Sequence, residues 1–213
     1  MDDLRLTELS VAELVARMAT DDPVPGGGSA AALTGAMGAA LIQMVVELTR
    51  GRIDAEGHEA ALDEIRAATA SLQSELLRLA DVDATAYAGV VKARRMPKET
   101  ELERESRRVQ VDAAVREATR APLTTARRAS MLVDQALRLV PIGNRNAISD
   151  VGVAGELAAA SVRSALLNVE INLPAVRNDD DLRSEATAEL GTLRAELPDR
   201  EQRLRDAVAE RLE

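Results

Sequence analysis

Three observations on this chain point to an all-α fold. Hydrophobic residues make up 46% of its 213 positions, yet Phe, Trp and Cys are absent and Tyr87 is the only aromatic. β-Sandwiches and barrels lean on aromatic and β-branched side chains, whereas the Ala, Leu, Arg and Glu that dominate here are good helix formers. Apolar residues also recur at steps of three and four over long stretches, the spacing of one helix face. The expected architecture is a bundle of about five long antiparallel helices plus a short N-terminal helix, homodimeric, in one domain over residues 1–213.

The elements follow in chain order. Leu6, Leu9, Leu14 and Met18 predict a short amphipathic helix over roughly 8–20, ended by Asp21-Asp22-Pro23. The second helix, roughly 29–50, is apolar nearly all round and rich in Ala and Gly, with Gly51 as its C-cap. A helix hydrophobic on every side belongs in the middle of an assembly, and covering it calls for a second copy of the chain. Asp54 is the expected cap of a third helix, whose Leu62, Ile65, Thr69, Leu72, Leu76 and Leu79 form a heptad-like seam. The same rhythm next reaches Asp83, then Tyr87 and Val90, so an acid stands where an apolar residue is due. Arg94-Arg95-Met96-Pro97 ends this element. A fourth helix runs from about 98 to 140 with Pro122 as a point of bending, and a fifth from about 147 to 173. Residues 179–213 read as an acidic helical tail, one or two exposed helices broken near Pro198, packed on the domain or extending from it.

Charge narrows the function classes. A net charge of −9 argues against nucleic acid as a partner. The tail carries eleven acids and six arginines, so its net of −5 is over half of the total. Without cysteine there are no disulfides or thiolate sites, which fits a cytoplasmic setting. Met1-Asp2-Asp3-Leu4 lacks the basic and apolar parts of a secretory leader. The run from Ser29 to Thr49 is long enough to span a bilayer, but it contains Gln43 and Glu47 and reads as a buried helix rather than a membrane anchor.

His58 is the only histidine, so no Ser–His or Cys–His pair and no His-based metal cluster can be assembled within one chain. Chemistry must come from carboxylates, lysine, tyrosine or backbone groups. Pro25-Gly26-Gly27-Gly28-Ser29 is one candidate: bare backbone opening a helix, with Ser29 where an N-cap belongs, suited to an anionic or carbonyl-bearing ligand. The plain alternative is an ordinary loop. Asp83 and Tyr87 are i and i+4 neighbours on one helix face, read either as a functional pair or as a solvated turn. Lys98 follows Pro97 in a chain with 25 arginines and two lysines, where a titratable ammonium or chance explains it. Asp150, Ser161, Asn168 and Asn172 share one face of the fifth helix, preceded by Asn144 and Ser149. They serve either an inter-helix hydrogen-bond network or a ligand.

Taken in order, Pro25 to Ser29, Asp83 to Tyr87, Pro97-Lys98, Gly143-Asn144 with Ser149-Asp150, and Asn168-Val169-x-Ile171-Asn172-Leu173 resemble the cyclodeaminase/cyclohydrolase family of folate enzymes. It includes the C-terminal domain of formiminotransferase-cyclodeaminase and stand-alone methenyltetrahydrofolate cyclohydrolases. The resemblance covers roughly residues 20–175 and implies a helical dimer with a folate groove close to its interface. It implies either hydrolysis of 5,10-methenyltetrahydrofolate to 10-formyltetrahydrofolate or closure of formimino-tetrahydrofolate with loss of ammonia. The formiminotransferase part is not expected in this chain, and Arg50-Gly51-Arg52-Ile53 stands where the family carries lysines.

On this footing Asp83 is the general-base and electrostatic candidate, and Lys98 the proton donor or tail anchor. Asp150 is the alternative carboxylate. Pro25, Gly26, Gly27, Gly28, Ser29, Tyr87, Asn144, Ser149, Asn168 and Asn172 are the candidate substrate contacts. No metal and no cofactor beyond the tetrahydrofolate substrate, polyglutamylated or not, is expected. A non-catalytic folate-binding helical dimer is the reading from a different class.

Overall fold

The computed structural model describes residues 5–52 and 56–213. Local signals start most helices. Helix α1 (Val11–Met18) opens on a reciprocal capping box between Ser10 and Glu13. Helix α2 (Gly27–Thr49) starts after Gly26 with no side-chain cap and ends before Gly51, whose φ of 69° is the left-handed turn expected of a C-terminal glycine. Ser29 is therefore the third residue of α2 and not its N-cap, a correction whose reason lies in a neighbouring helix. Helix α3 (Glu59–Arg94) follows His58, and the expected Asp54 cap lies outside the described residues. Helix α4 (Glu101–Leu139) opens on a second capping box, Thr100 with Glu103. Helices α5 (Ile148–Asn172) and α6 (Asp180–Leu212) complete the chain, α6 capped by the Asp179 carboxylate, which accepts from Leu182 N–H.

Helices α2 to α5 form an up-down-up-down bundle in which each contacts its two neighbours, and no strand occurs among the described residues. Antiparallel runs are pinned along their length. Ser29 meets Ala80 and Gln43 meets Gln73 across α2 and α3, while Glu64–Arg138 and Glu75–Arg128 tie α3 to α4. Helix α2 packs against α5 through small residues. A Cβ on Gly35 would lie 2.8 Å from Ser161 Oγ, so the glycine is what lets these two backbones approach. Ser161 donates to Ala31 O at 2.6 Å, which assigns it to the inter-helix network. One continuous hydrophobic core runs from Ala31 to Val208.

The acidic tail is one helix, unbroken at Pro198, and it is packed rather than exposed. Leu182, Ala186, Leu190, Leu193, Leu197, Leu204 and Val208 are buried against α5 and α4. Each buried leucine is worth roughly 1.5–3 kcal/mol, far more than the ion pairs along the same helix. Pro198 sits on the exposed side of α6, where water can serve the carbonyl that its missing N–H leaves free.

Pro122 sits inside α4 as well, but buried. It removes the hydrogen bond that the Ala118 carbonyl would otherwise accept. The Asn172 side chain takes that bond, Nδ2 donating to Ala118 O at 2.8 Å.

Candidate functional site

Helix α3 has 36 residues and α4 has 39, against 23 in α2. The α3–α4 hairpin therefore projects beyond the N-terminus of α2 as an arm. The seam on α3 is buried as far as Leu79, where α2 still covers it. Past the N-terminal end of α2 the cover is incomplete, with Asp83 half-buried, Tyr87 exposed and Val90 still buried, and the same face becomes the wall of a groove. Asp83, Tyr87, Val90 and Arg94 supply that wall. Val115 and Ala118 of α4, Asn168, Ile171 and Asn172 of α5, and the Pro23–Gly28 loop complete a cavity of about 500 Å³.

The Asp83 carboxylate lies against the first turn of α2. A Cβ built on Gly28 would fall 2.1 Å from Oδ1, so only glycine leaves room for it. Ser29 bonds to Asp83 through its backbone N–H. Its hydroxyl lies 3.1 Å from Asp83 Oδ2 and 2.9 Å from Ala80 O. Asp83 is thus the cap that α2 lacks in its own sequence, supplied from α3 to the positive end of the helix. Burial pushes the carboxyl above the usual aspartate range, and the two bonds from Ser29 pull only part of the way back. A carboxylate with a raised pKa, facing a groove, can take up and return a proton.

A model of the formiminotransferase-cyclodeaminase family matches residues 10–192 of the chain. The chain belongs to this family. It is 37% identical over 191 residues to the methenyltetrahydrofolate cyclohydrolase of Methylorubrum extorquens, covering 90% of this chain and 91% of that protein. It is 32% identical over 174 residues to the formimidoyltransferase-cyclodeaminase of Mus musculus, spanning 82% of this chain and about a third (32%) of that longer protein. The crystal structure of formiminotetrahydrofolate cyclodeaminase from Thermotoga maritima superposes with a TM-score of 0.85 at 29% identity, over 96% of this chain and 98% of that one.

Of the motifs that carry the family likeness, the groove gathers three. Gly26, Gly27 and Gly28 line it together with Asp83, Tyr87, Asn168 and Asn172. Pro25 and Ser29 are buried behind that lining and shape it from below. Asn168 donates its Nδ2 to Ser164 O at 2.8 Å and Asn172 its own to Ala118 O, which leaves the amide oxygen of each without a bond of its own in this pair of contacts.

The other motifs lie elsewhere in the chain. Lys98 is exposed beyond the end of α3 and does not line the groove. The helix axis alone runs roughly 16 Å from Asp83 to Arg94. Ser149 and Asp150 open α5, whereas Asn168 and Asn172 close it, so eighteen residues, roughly 27 Å of helix, part Asp150 from Asn168. Asn144 is buried at that same far end, where its N–H donates to Thr49 Oγ1 at 2.9 Å and its Nδ2 to Leu48 O at 3.0 Å. Both bonds fasten the C-terminus of α2. Within one chain, Asn144, Ser149 and Asp150 cannot share a ligand with Asp83.

Sequence reasoning did not assign Arg94, Val115 or Ala118 to the site, and it placed Val90 only on the seam and Ile171 only within a motif. The signal for Arg94 was present, since one further step of four along the seam from Val90 reaches it. Among the described residues no three His, Asp or Glu side chains converge as a metal site.

Proposed function

We propose that this chain hydrolyses 5,10-methenyltetrahydrofolate to 10-formyltetrahydrofolate in the Asp83 groove. The observation that carries the reading is the half-buried Asp83 carboxylate, among the described residues the one acid lining a cavity of about 500 Å³, with its pKa raised by burial. The substrate's one-carbon bridge is a delocalised amidinium cation. Asp83 stabilises it electrostatically and accepts a proton as water adds to the bridging carbon. A neutral carbinolamine results. Collapse then forms the formyl C=O and breaks the carbon–N5 bond, and Asp83 relays the hydroxyl proton to N5. One proton leaves to solvent overall. Tyr87 and the Asn168 and Asn172 amides supply contacts for the ring system.

Closure of formimino-tetrahydrofolate is the second reading, favoured by the fold match to the Thermotoga maritima cyclodeaminase. There the same carboxyl would protonate the departing ammonia. Loss of methenyl-tetrahydrofolate absorbance with and without protein tests the first reading, and ammonia release from the formimino substrate tests the second. A protein that binds tetrahydrofolate and accelerates neither reaction would be a folate binder only.

We also propose a homodimer. Of the five exposed positions of α2, Gly27, Met37, Met44, Glu47 and Leu48, only Glu47 is charged. Val153, Leu167 and Ile171 continue the apolar exposure on α5. A face of this length and polarity needs an equally apolar partner, and a second copy offers one. A two-fold that runs α2 antiparallel to its copy would carry the Asn144–Asp150 end of one chain toward the triglycine end of the other. That is the route by which Asp150 would serve this groove. A cytoplasmic location accords with a tetrahydrofolate substrate.

A further inference from the structure

The groove carries one acid and one base. Among the described residues Arg94 is the only cation lining it, eleven residues beyond Asp83 on the same face of α3. We infer that Arg94 binds the glutamyl carboxylate of the folate and thereby sets the reading direction of the substrate, an inference that rests on the folate reading above.

Three observations support this. The first turn of α2, the other natural anion site, already holds a carboxylate. Asp83 fills the space beside Gly28 and takes the Ser29 N–H. A substrate anion is therefore repelled there and must be held further along. Second, Arg94 has no acidic partner among the described residues, and no Asp or Glu occurs in the sequence between Asp83 and Glu99. Its backbone is nevertheless fixed, because the Arg107 Nε and Nη2 both donate to the Arg94 carbonyl at 3.2 Å. A guanidinium that is free at its tip and anchored at its root suits a bidentate carboxylate.

Third, the spacing fits. Eleven residues span roughly 16 Å of helix axis, and a long helical side chain leans back toward the N-terminus. The guanidinium then falls about one p-aminobenzoyl-glutamate length from Asp83. Tyr87 lies between them in sequence, lines the groove and is 37% exposed, which places it for the benzoyl ring. Arg94 is a specificity residue in this scheme and touches none of the reacting atoms.

Calorimetric titration with tetrahydrofolate and with tetrahydropteroate, which lacks the glutamate, tests the assignment. The wild-type protein should bind tetrahydrofolate about tenfold more tightly than tetrahydropteroate. Arg94→Met should erase that preference by weakening tetrahydrofolate alone, and Arg94→Lys should restore part of it. In turnover the loss should appear in KM with kcat little changed. If Arg94→Met keeps the full preference, or weakens both ligands equally, Arg94 does not read the glutamate although the groove still binds folate. If the wild-type protein binds neither ligand, the folate reading falls and this inference falls with it.

Discussion

Gly28 and Asp83 fit together as lock and bolt: the carboxylate of one occupies the volume that a side chain on the other would need, with Oδ1 2.1 Å from the position of the absent Cβ. The pair joins two consecutive helices through residues that are over fifty positions apart in sequence. It also explains why α2 opens on glycines. Gly28→Ala must push the Asp83 carboxylate off the first turn of α2. We expect a stability cost of about 1–3 kcal/mol, in line with overpacking elsewhere, together with a loss of turnover of about 10²-fold or more. Thermal melts and methenyl-tetrahydrofolate hydrolysis measure the two effects side by side. An alanine variant with wild-type turnover would remove Asp83 from the mechanism.

The raised pKa of Asp83 makes a signed prediction. Burial makes the ionised form costly in the folded state, so the folded protein holds the proton to higher pH than the unfolded chain does. Below the ordinary aspartate range both states are protonated and the cost is absent. It develops as pH rises through the shifted value. Asp83→Asn should therefore gain melting temperature relative to the wild type at neutral pH, and that gain should vanish in acid. Wild-type kcat/KM should fall on the acid side at a pH above the usual aspartate range, because the base form is required. A stability difference independent of pH would contradict this account.

Asn172 and Pro122 form a second couple. The asparagine amide fills the vacancy that the proline creates at the Ala118 carbonyl. Asn172→Ala should cost about 1–3 kcal/mol by leaving that carbonyl unpaired. Pro122→Ala returns a backbone N–H to the same acceptor, so Asn172→Ala should cost much less in that background. The double-mutant cycle, read by denaturant unfolding, should be clearly non-additive. Additive losses would mean that Asn172 acts through the groove and not through α4.

The exposed apolar face of α2 and α5 predicts a dimer in solution. Sedimentation should give twice the chain mass, and Met44→Lys combined with Leu167→Glu should give the monomer with its helix content intact. If Asp150 serves the groove across that interface, the monomeric variant should lose turnover too. A wild-type protein that sediments as a monomer would overturn the proposal.

Much of this was legible in the sequence, and the limits have physical causes. The heptad-like seam located α3 and flagged Asp83, because an acid interrupting an apolar rhythm is a one-dimensional signal. The capping boxes at Ser10 and Thr100 are equally local, but only the structure drew attention to them. Ser29 was misread as a cap because the residue that caps α2 comes from another helix. Pro198 suggested a break, yet one missing N–H on a solvated side does not outweigh seven buried apolar residues. Arg94 counts in the sequence only as part of the helix-ending Arg94-Arg95-Met96-Pro97, since its place in the groove depends on how far α2 reaches along α3.

The sequence by itself determined the all-helical bundle, its helix order and the family, because periodicity, helix propensity and motif order are properties of the chain alone. The tertiary structure alone decided which motifs meet. Helix length is the reason: α2 is short enough to leave a groove open over Asp83, Tyr87 and Arg94 beyond its N-terminus, and α5 is long enough to keep Asp150 at the opposite end.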